Sequence, residues 1–271
     1  MKKLFSAIAL MAFLGSTINA QETVVVPMPC GYSKLVFNDE FNKDGMPDDS
    51  KWGYEEGYLR NGEKQYYTVK RKENCYQKDG LLNIVALNDS AVIDGKVCPV
   101  TSASLLTKNK HSWTYCRVEV RAKLPMCLGT WPAIWMMPNN DKYGRWPKSG
   151  EIDIMEHVGY EPNNVHYALH TEKYNHMLNN QKRHTEPCNT SYSDFHVYAM
   201  EWHPDRIDWF LDGEKKYTVV NDEDVWEAWP FNQPFYLILN FAFGGGWGGH
   251  AGINMNGLPQ TYQIDYVRIF Q

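Results

Sequence analysis

The sequence predicts an all-β protein, a sandwich or barrel, and three observations lead to this fold class. Short stretches that alternate apolar and polar residues, or are dense in β-forming residues, follow one another along the chain. Gly, Pro, Asn and Asp separate them at regular spacing, as in sandwiches and barrels. Only 222–229 could form a short helix, so the strands do not alternate with the crossover helices of an α/β fold.

The strands can be justified in chain order. Apolar residues or β-forming residues predict strands at 81–87, 115–124, 151–158, 196–202, 206–211, 235–243 and 262–270. The predicted strand 206–211 precedes an Asp212-Gly213 turn. Two antiparallel sheets, each burying one face, can curve into a sandwich with a concave groove that suits an extended polymer. At 271 residues the chain fits one such domain.

Composition narrows the class of partner. Aromatic residues make up 14% of the chain, more than a core of this size needs, so some rings are expected to face a ligand. The net charge is -5 and the Lys and Arg residues are scattered, so the basic stripe of nucleic-acid or anionic-membrane binding is missing. A neutral partner is expected.

The amino terminus has the pattern of a secretory signal peptide. Lys2 and Lys3 precede an apolar run at 4–14 and a small-residue stretch that ends at Ala20. The run is too short to cross a bilayer, which needs about 20 residues, so a membrane anchor is disfavoured. We expect 1–20 to be removed and 21–271 to be one soluble domain, exported to the periplasm, the cell surface or the medium, without membrane insertion.

Export permits disulfides among the six cysteines, although sequence cannot choose among the 15 pairings. Cys116 shares a strand face with Val118 and Val120, which predicts a buried thiol. No CxxC pair or Cys/His cluster indicates zinc. The six are Cys30, Cys75, Cys98, Cys116, Cys127 and Cys188.

The segment 151–157 carries three carboxylates within an apolar strand. Alternation places Glu151 and Asp153 on one face but sends Glu156 into the core. A β-bulge at Ile154-Met155 would return Glu156 to the face of the other two, and bulges often lie beside active sites. We therefore predict such a bulge.

With this bulge, the pair of Glu residues suits glycoside hydrolysis. Glu151 and Glu156 would be about 13 Å apart at Cα, and their carboxyls could approach to ~5–5.5 Å, the separation of a retaining enzyme. Asp153 between them would raise the proton affinity of a neighbour, giving one ionised nucleophile and one protonated acid. A solvated edge strand is the harmless alternative. A metal site that adds His157 is disfavoured, because His157 should point to the opposite face.

The chain resembles glycoside hydrolase family 16, the laminarinase and lichenase group. The motifs occur in family order over 35–270, and they include FNDEFN, RNGEKQYYT, VEVRAKLP, GTWPAIWMMP, GEIDIMEHVG, VHYALHT and IDYVRIF. The resemblance implies a jelly roll of the concanavalin A type. It also implies a retaining, endo-acting hydrolase in which Glu151 is the nucleophile, Glu156 the general acid/base and Asp153 the assisting carboxylate. Met155 matches the bulged laminarinase type, and no cofactor is required.

Substrate-binding candidates come partly from the residues and partly from the resemblance. Trp131 and Trp135 share a strand face and could stack on sugar rings, although one of them could belong to the core. Trp247 lacks bulky neighbours in the Gly-rich run 244–249, which favours a ligand-facing role. By resemblance, Asn61 and Glu63 line the negative subsites and His170 lies near the cleavage point, while Trp146 is a further candidate.

The family often binds a structural calcium on the convex side, and the resemblance assigns Asp265 and the Gly80 carbonyl to it. The alternative is that Asp265 takes part in a surface ion pair.

The resemblance favours β-1,3- or mixed-linkage β-glucan as substrate. The alternatives are an endo-β-galactosidase acting on galactose-containing glycans such as mucin-type O-glycans or keratan, and a glycan-binding lectin-like module without catalysis. RNGEKQYYT departs from the RNNE form of many laminarinases, and 170–188 is a loop without an assigned sugar. We expect a monomer with no nucleic-acid partner.

Overall fold

The computed structural model describes residues 31–271; the predicted signal peptide and Cys30 lie outside this range. The described residues form two β-sheets of ten and seven strands. In chain order the elements are β1 (Leu35–Asp39), β2 (Gly53–Tyr54), β3 (Gln65–Tyr67), β4 (Cys75–Lys78), β5 (Leu81–Ile93), β6 (Lys96–Ser102), β7 (Ser104–Leu106), β8 (Arg117–Lys123), β9 (Thr130–Pro138), β10 (Glu151–Glu156), β11 (Asn164–His170), β12 (Lys182–Pro187), β13 (His196–Trp202), β14 (Arg206–Leu211), β15 (Glu214–Val220), β16 (Phe235–Phe243), the one-turn helix α1 (Gly245–Gly248) and β17 (Gln260–Phe270).

The two sheets have a simple strand order. The larger sheet runs β15-β14-β13-β8-β17-β5-β6-β3, with β1 beside β17 and β4 beside β5. The smaller sheet runs β12-β11-β10-β9-β16-β7-β2, so β10 lies near its middle. Almost all pairs are antiparallel; β3 and β6 are parallel. The predicted all-β, two-sheet fold is confirmed.

One apolar core lies between the sheets. Alternate residues of each sheet enter it, for example Val118 and Val120 from β8 and Ile152 from β10. Burying each large apolar side chain contributes about 1.5–3 kcal/mol, and this transfer from water holds the sheets together. The carboxylates of β10 point away from this core, which leaves them on the outer face of the smaller sheet.

The predicted strands match closely, and two segments differ. The stretch 222–229 forms turns instead of a helix. The supposed loop 170–188 contains the edge strand β12, which pairs with β11. Its polar residues alternate between half-buried and exposed positions, and an edge strand of this kind lacks the apolar alternation that reveals a strand in the sequence.

The described cysteines Cys75, Cys98, Cys116, Cys127 and Cys188 are all free thiols. Cys116 is fully buried, as predicted, and burial raises the pKa of its thiol. Within residues 31–271 no helix is long and apolar enough to span a membrane.

Candidate active site

The predicted bulge in β10 is confirmed. Asp153 pairs with Trp135 of β9 and Met155 with Ile134, so β10 advances two residues while β9 advances one. Ile154 and Met155 both enter the core, and both are fully buried. Glu156 is thereby returned to the face that carries Glu151 and Asp153. From the core side, Trp209 Nε1 donates to the Asp153 carbonyl at 2.9 Å, which supports the strand beside the bulge.

The three carboxylates lie where two cavities meet. A cavity of about 330 Å³ extends from them toward β9 and β16, and one of about 420 Å³ extends toward β11 and β12. Glu151, Glu156, Asn61, Trp131 and His176 line both cavities. Together the cavities form a groove that continues on both sides of the carboxylates. The cavity toward β9 and β16 is called here the first half of the groove, and the cavity toward β11 and β12 the second half.

The surroundings of Glu156 favour its protonated form. Burial, and then the nearby charges of Asp153 and Glu151, raise the pKa of Glu156 well above its ordinary value. Trp131 Nε1 donates to Glu156 Oε1 at 3.0 Å and opposes this shift, because the bond favours the ionised carboxylate. A carboxyl that stays protonated near neutral pH suits a general acid.

Glu151 has a different environment. Trp146 Nε1 donates to Glu151 Oε2 at 2.6 Å, and His170 Nε2 lies 3.9 Å from Oε1. The Trp146 indole N–H thus donates to the carboxylate that the resemblance implies as the nucleophile. The structure thus places Trp146 against the nucleophile candidate, a closer role than the sequence suggested.

Asp153 is almost completely buried between the two Glu residues, with 2% of its surface exposed. Burial, with the charge of Glu151, raises the pKa of Asp153 well above its ordinary value. Its Oδ2 lies 3.3 Å from His170 Nε2. A protonated Asp153 can share its proton with Glu151, which fits the assisting role that the resemblance implies.

Ligand atoms of Glu151, Asp153 and His170 lie within 4.8 Å of one another, close enough for a metal ion. His157 takes no part: it is fully buried on the other face, and its Nδ1 lies 2.9 Å from the Asn164 carbonyl. Burial lowers the pKa of His157 to about 4, so it is a neutral core residue. The raised pKa of the neighbouring Glu156 suits acid catalysis, so glycoside hydrolysis is the better interpretation of this group.

In the first half of the groove, Trp135 is oriented by a residue that the sequence did not reveal. Trp135 Nε1 donates to Asn240 Oδ1 at 2.7 Å, and Asn240 Nδ2 donates to the Tyr67 hydroxyl at 2.9 Å. The Arg60 guanidinium lies 4.9 Å from the Trp135 ring centre and is neutralised by Glu55. Asn240 and Arg60 come from distant segments. Arg60 opens the motif RNGEKQYYT, but the motif by itself does not show that this residue reaches Trp135.

Glu63 lines the first half of the groove and Asn61 lines both halves, while their assignment to the negative subsites stays a prediction. Asn61 and Gly62 have φ values of 55° and 64°, the left-handed pair that an Asn-Gly turn adopts readily. This turn aims Asn61 Nδ2 at Glu63 Oε1, 3.1 Å away, while Gln65 Nε2 donates to Oε2 at 2.6 Å. Burial raises the pKa of Glu63.

The second half holds Trp247 and the histidines of β11. Trp247 on α1 packs edge-on against Trp131, and the two ring centres are 5.4 Å apart. The ring centre of Trp247 also lies 4.9 Å from that of His166. A Cβ on Gly248 would lie 2.9 Å from the Trp131 side chain, so glycine is needed for this approach. His166 and His170 both line the second half of the groove from β11. His176, which sequence analysis did not single out, comes from the segment after β11.

Asp265, the carboxylate of the predicted calcium site, forms the ion pair that was the alternative to calcium binding. Arg121 donates to Asp265 Oδ2, which forms a partly exposed ion pair. Gly80 lies in the turn before β5, with Asn42 Oδ1 3.7 Å from where its Cβ would be. The Asp265 carboxylate and the Gly80 carbonyl are hard oxygen donors of the kind that calcium accepts, although the Arg121 guanidinium already compensates the Asp265 charge. Calcium at this position remains a prediction.

Comparisons with known proteins agree with this geometry. The family model described as "Glycosyl hydrolases family 16" matches residues 62–268. A "Beta-glucanase" of Rhodothermus marinus is 46% identical over 88% of this chain and 85% of that protein. A "Keratan-sulfate endo-1,4-beta-galactosidase" of Sphingobacterium multivorum is 36% identical over 88% of this chain but only 55% of that longer protein.

Among solved structures, the fold is similar to a non-specific endo-beta-1,3(4)-glucanase co-crystallized with 1,3-beta-D-cellotriosyl-glucose. The TM-score is 0.85 and the identity 39%, covering 91% of this chain and 97% of that one.

Proposed function

The chain belongs to glycosyl hydrolases family 16, and from this premise we propose that it is a retaining endo-β-1,3(4)-glucanase of the laminarinase type. One observation carries the proposal: the bulged β10 presents Glu151, Asp153 and Glu156 together at the middle of a groove that continues in both directions. A chain threaded through such a groove is cut internally, which is endo action.

The reaction follows from the two Glu environments. Protonated Glu156 gives its proton to the glycosidic oxygen while the Glu151 carboxylate attacks the anomeric carbon, and the leaving sugar departs with that proton. The resulting glycosyl ester on Glu151 is attacked by water, from which Glu156 removes a proton. Two displacements at one carbon retain its configuration. Asp153 restores the charge balance by sharing a proton with Glu151 as the ester breaks.

β-Glucan is the favoured substrate for two reasons. The Rhodothermus marinus relative is named a beta-glucanase, and the solved relative holds a glucose oligosaccharide. In the groove itself, the indoles of Trp131, Trp135 and Trp247 offer flat apolar faces to the C–H faces of sugar rings.

An endo-β-galactosidase is the second candidate. The keratan-sulfate-degrading relative covers nearly the same part of this chain as the beta-glucanase. Glucose and galactose differ in the orientation of the C4 hydroxyl, and a missing hydrogen-bond partner for that hydroxyl can reduce the rate by orders of magnitude.

The remaining features of the proposal rest on the sequence. We expect removal of 1–20 and export, action as a monomer, and calcium, if bound at Asp265, as a structural ion only. Amino-terminal sequencing of the protein secreted by its host tests the first of these: an intact Met1 would contradict export by a cleaved signal.

The test of the mechanism pairs variants with a substrate panel. Reducing-end release is measured on laminarin, mixed-linkage β-glucan, agarose, keratan and mucin O-glycans for wild type, Glu151→Ala, Glu156→Ala and Glu214→Ala. Glu214 is a 76% exposed carboxylate on β15 of the other sheet, so Glu214→Ala is the matched control. We expect glucan cleavage that falls at least ~10³-fold in the first two variants only.

Azide separates the two catalytic roles. With an activated substrate, azide should rescue Glu151→Ala as a glycosyl azide of inverted configuration and Glu156→Ala as one of retained configuration. The opposite result would exchange the two roles. Wild-type cleavage of galactose-containing chains alone would make the second candidate correct, and saturable binding without new reducing ends would indicate a lectin-like module.

A further inference from the structure

The segment 171–181, which joins β11 to β12, has no role in the mechanism above. It contains a 3₁₀ turn, His176–Leu178, and presents His176, Asn179 and Gln181 to the groove. Asn179 and Gln181 line only the second half, whereas His176 lines both halves. His176 therefore lies at the point where the substrate is cut.

Hydrogen bonds of Asn175, a residue that is only 2% exposed, fix the conformation of the segment 171–181. Asn175 Nδ2 donates to the carbonyls of Thr171 at 3.0 Å and Glu172 at 3.2 Å, and Asn175 Oδ1 accepts from the Leu178 amide at 3.2 Å. Asn180 Oδ1 accepts from the Asn175 amide at 3.0 Å and closes the segment. His176 is thus presented to the groove in a fixed position, which lowers the entropic cost of a contact with substrate.

The His176 ring packs against two side chains that contact the catalytic carboxylates. Its ring centre lies 5.1 Å from Trp146 and 5.2 Å from His170. Trp146 donates to Glu151, and His170 Nε2 lies 3.3 Å from Asp153 Oδ2. His176 is therefore one side chain away from the reacting atoms.

The ring nitrogens of His176 are available to a ligand. Its backbone carbonyl accepts from the Asn179 amide at 3.1 Å, but within residues 31–271 no hydrogen bond occupies either ring nitrogen. Desolvation, with a smaller contribution from His170, lowers the pKa of His176 below its ordinary value, so the ring is neutral at neutral pH. A neutral imidazole offers one donor and one acceptor, which is what a sugar hydroxyl needs.

We infer that His176 binds the leaving sugar, the sugar unit on the departing side of the cleaved bond, by a hydrogen bond to one of its hydroxyls. The first half contains Glu63, which the family resemblance assigns to the part of the substrate that stays bound. The neighbours of His176 on the same segment, Asn179 and Gln181, face only the opposite half. The inference rests on the proposed function and names a subsite residue within it.

The test compares two substrates with different leaving groups. One is laminarin, which has a leaving sugar, and the other is a nitrophenyl β-glycoside of a laminari-oligosaccharide, whose leaving group is nitrophenol. Kinetics are measured for wild type, His176→Ala, His176→Gln and Met177→Ala. Met177 is the next residue, 67% exposed and outside the groove lining, so it controls for damage to the segment.

We expect His176→Ala to lower kcat/KM about five- to tenfold on laminarin, the effect of one neutral hydrogen bond, and less than about twofold on the nitrophenyl substrate. His176→Gln, which keeps a donor and an acceptor, should recover part of the loss, and Met177→Ala should change neither rate. An equal loss on both substrates would instead mean that His176 positions Glu151 through Trp146, and no loss on laminarin would remove it from recognition. Either result overturns the inference.

Failure of the proposed function is seen separately, in the wild type. If wild type cleaves galactose-containing chains instead of glucan, the same comparison is made on that polymer and its nitrophenyl glycoside.

Discussion

Trp131→Phe should move the alkaline limb of the pH profile of kcat/KM to higher pH. In the proposed mechanism Glu156 acts in its protonated form, so kcat/KM should fall as the pH rises through the pKa of Glu156, which burial and the charges of Asp153 and Glu151 have already raised. The indole N–H of Trp131, 3.0 Å from Glu156 Oε1, stabilises the ionised form and so limits this rise. Phenylalanine keeps an aromatic face toward the sugar but removes the donor.

The magnitude follows from the strength of that hydrogen bond. A bond to a charged acceptor contributes about 1.5–3 kcal/mol, and a pKa change of one unit corresponds to ~1.36 kcal/mol. Because Glu156 lies in a groove open to water that can replace part of the lost bond, we expect the lower end of this range. The alkaline limb of kcat/KM should move upward by about one pH unit.

The assay is reducing-end release from β-glucan well below KM, over a series of buffers at constant ionic strength. Trp135→Phe is the matched control, because Trp135 lies on the same face of β9 but its N–H donates to Asn240 at 2.7 Å instead of to a catalytic carboxylate. Trp135→Phe should reduce kcat/KM without moving the limb. An unmoved limb or one at lower pH in Trp131→Phe, or an equal shift in both variants, would refute the reasoning.

Three further predictions concern stability. Glu156→Gln should raise Tm by about 2–4 °C at pH 8 but not near pH 4. The reason is that the pKa of Glu156 is higher in the folded than in the unfolded protein, so ionisation of Glu156 destabilises the fold increasingly as the pH rises above the unfolded pKa. Equal gains in Tm at both pH values would contradict this. Arg117→Met should lower Tm by about 10 °C in thermal unfolding. Arg117 is fully buried, and its loss leaves the carboxylates of Glu119 and Glu201 buried without their cation. A decrease of less than about 2 °C would contradict this. If calcium binds at Asp265, added calcium should raise the Tm of EDTA-treated wild type by about 5–10 °C but not that of Asp265→Asn, and identical melting with and without calcium would remove the site.

Much of the fold and of the chemistry could be predicted because the signals are local. The strands β13, β14 and β16 begin and end at the predicted residues, since each is a compact run of apolar and β-forming residues that the fold buries almost throughout. The bulge was predictable as well, because three carboxylates and two large apolar residues in one strand can satisfy both faces only with an extra residue. The edge strand β12 escaped prediction because its residues are polar throughout.

The sequence by itself determined the catalytic constellation, since Glu151, Asp153 and Glu156 lie within six residues of one strand and their relative placement needs no distant partner. The tertiary structure decided what surrounds them. Trp146 reaches Glu151 from the segment before β10, Asn240 reaches Trp135 from β16, and His176 reaches the groove from the segment after β11. These contacts depend on the order of strands in the sheet and on the folding of two loops over it, and side chains brought together in this way carry no shared pattern along the chain.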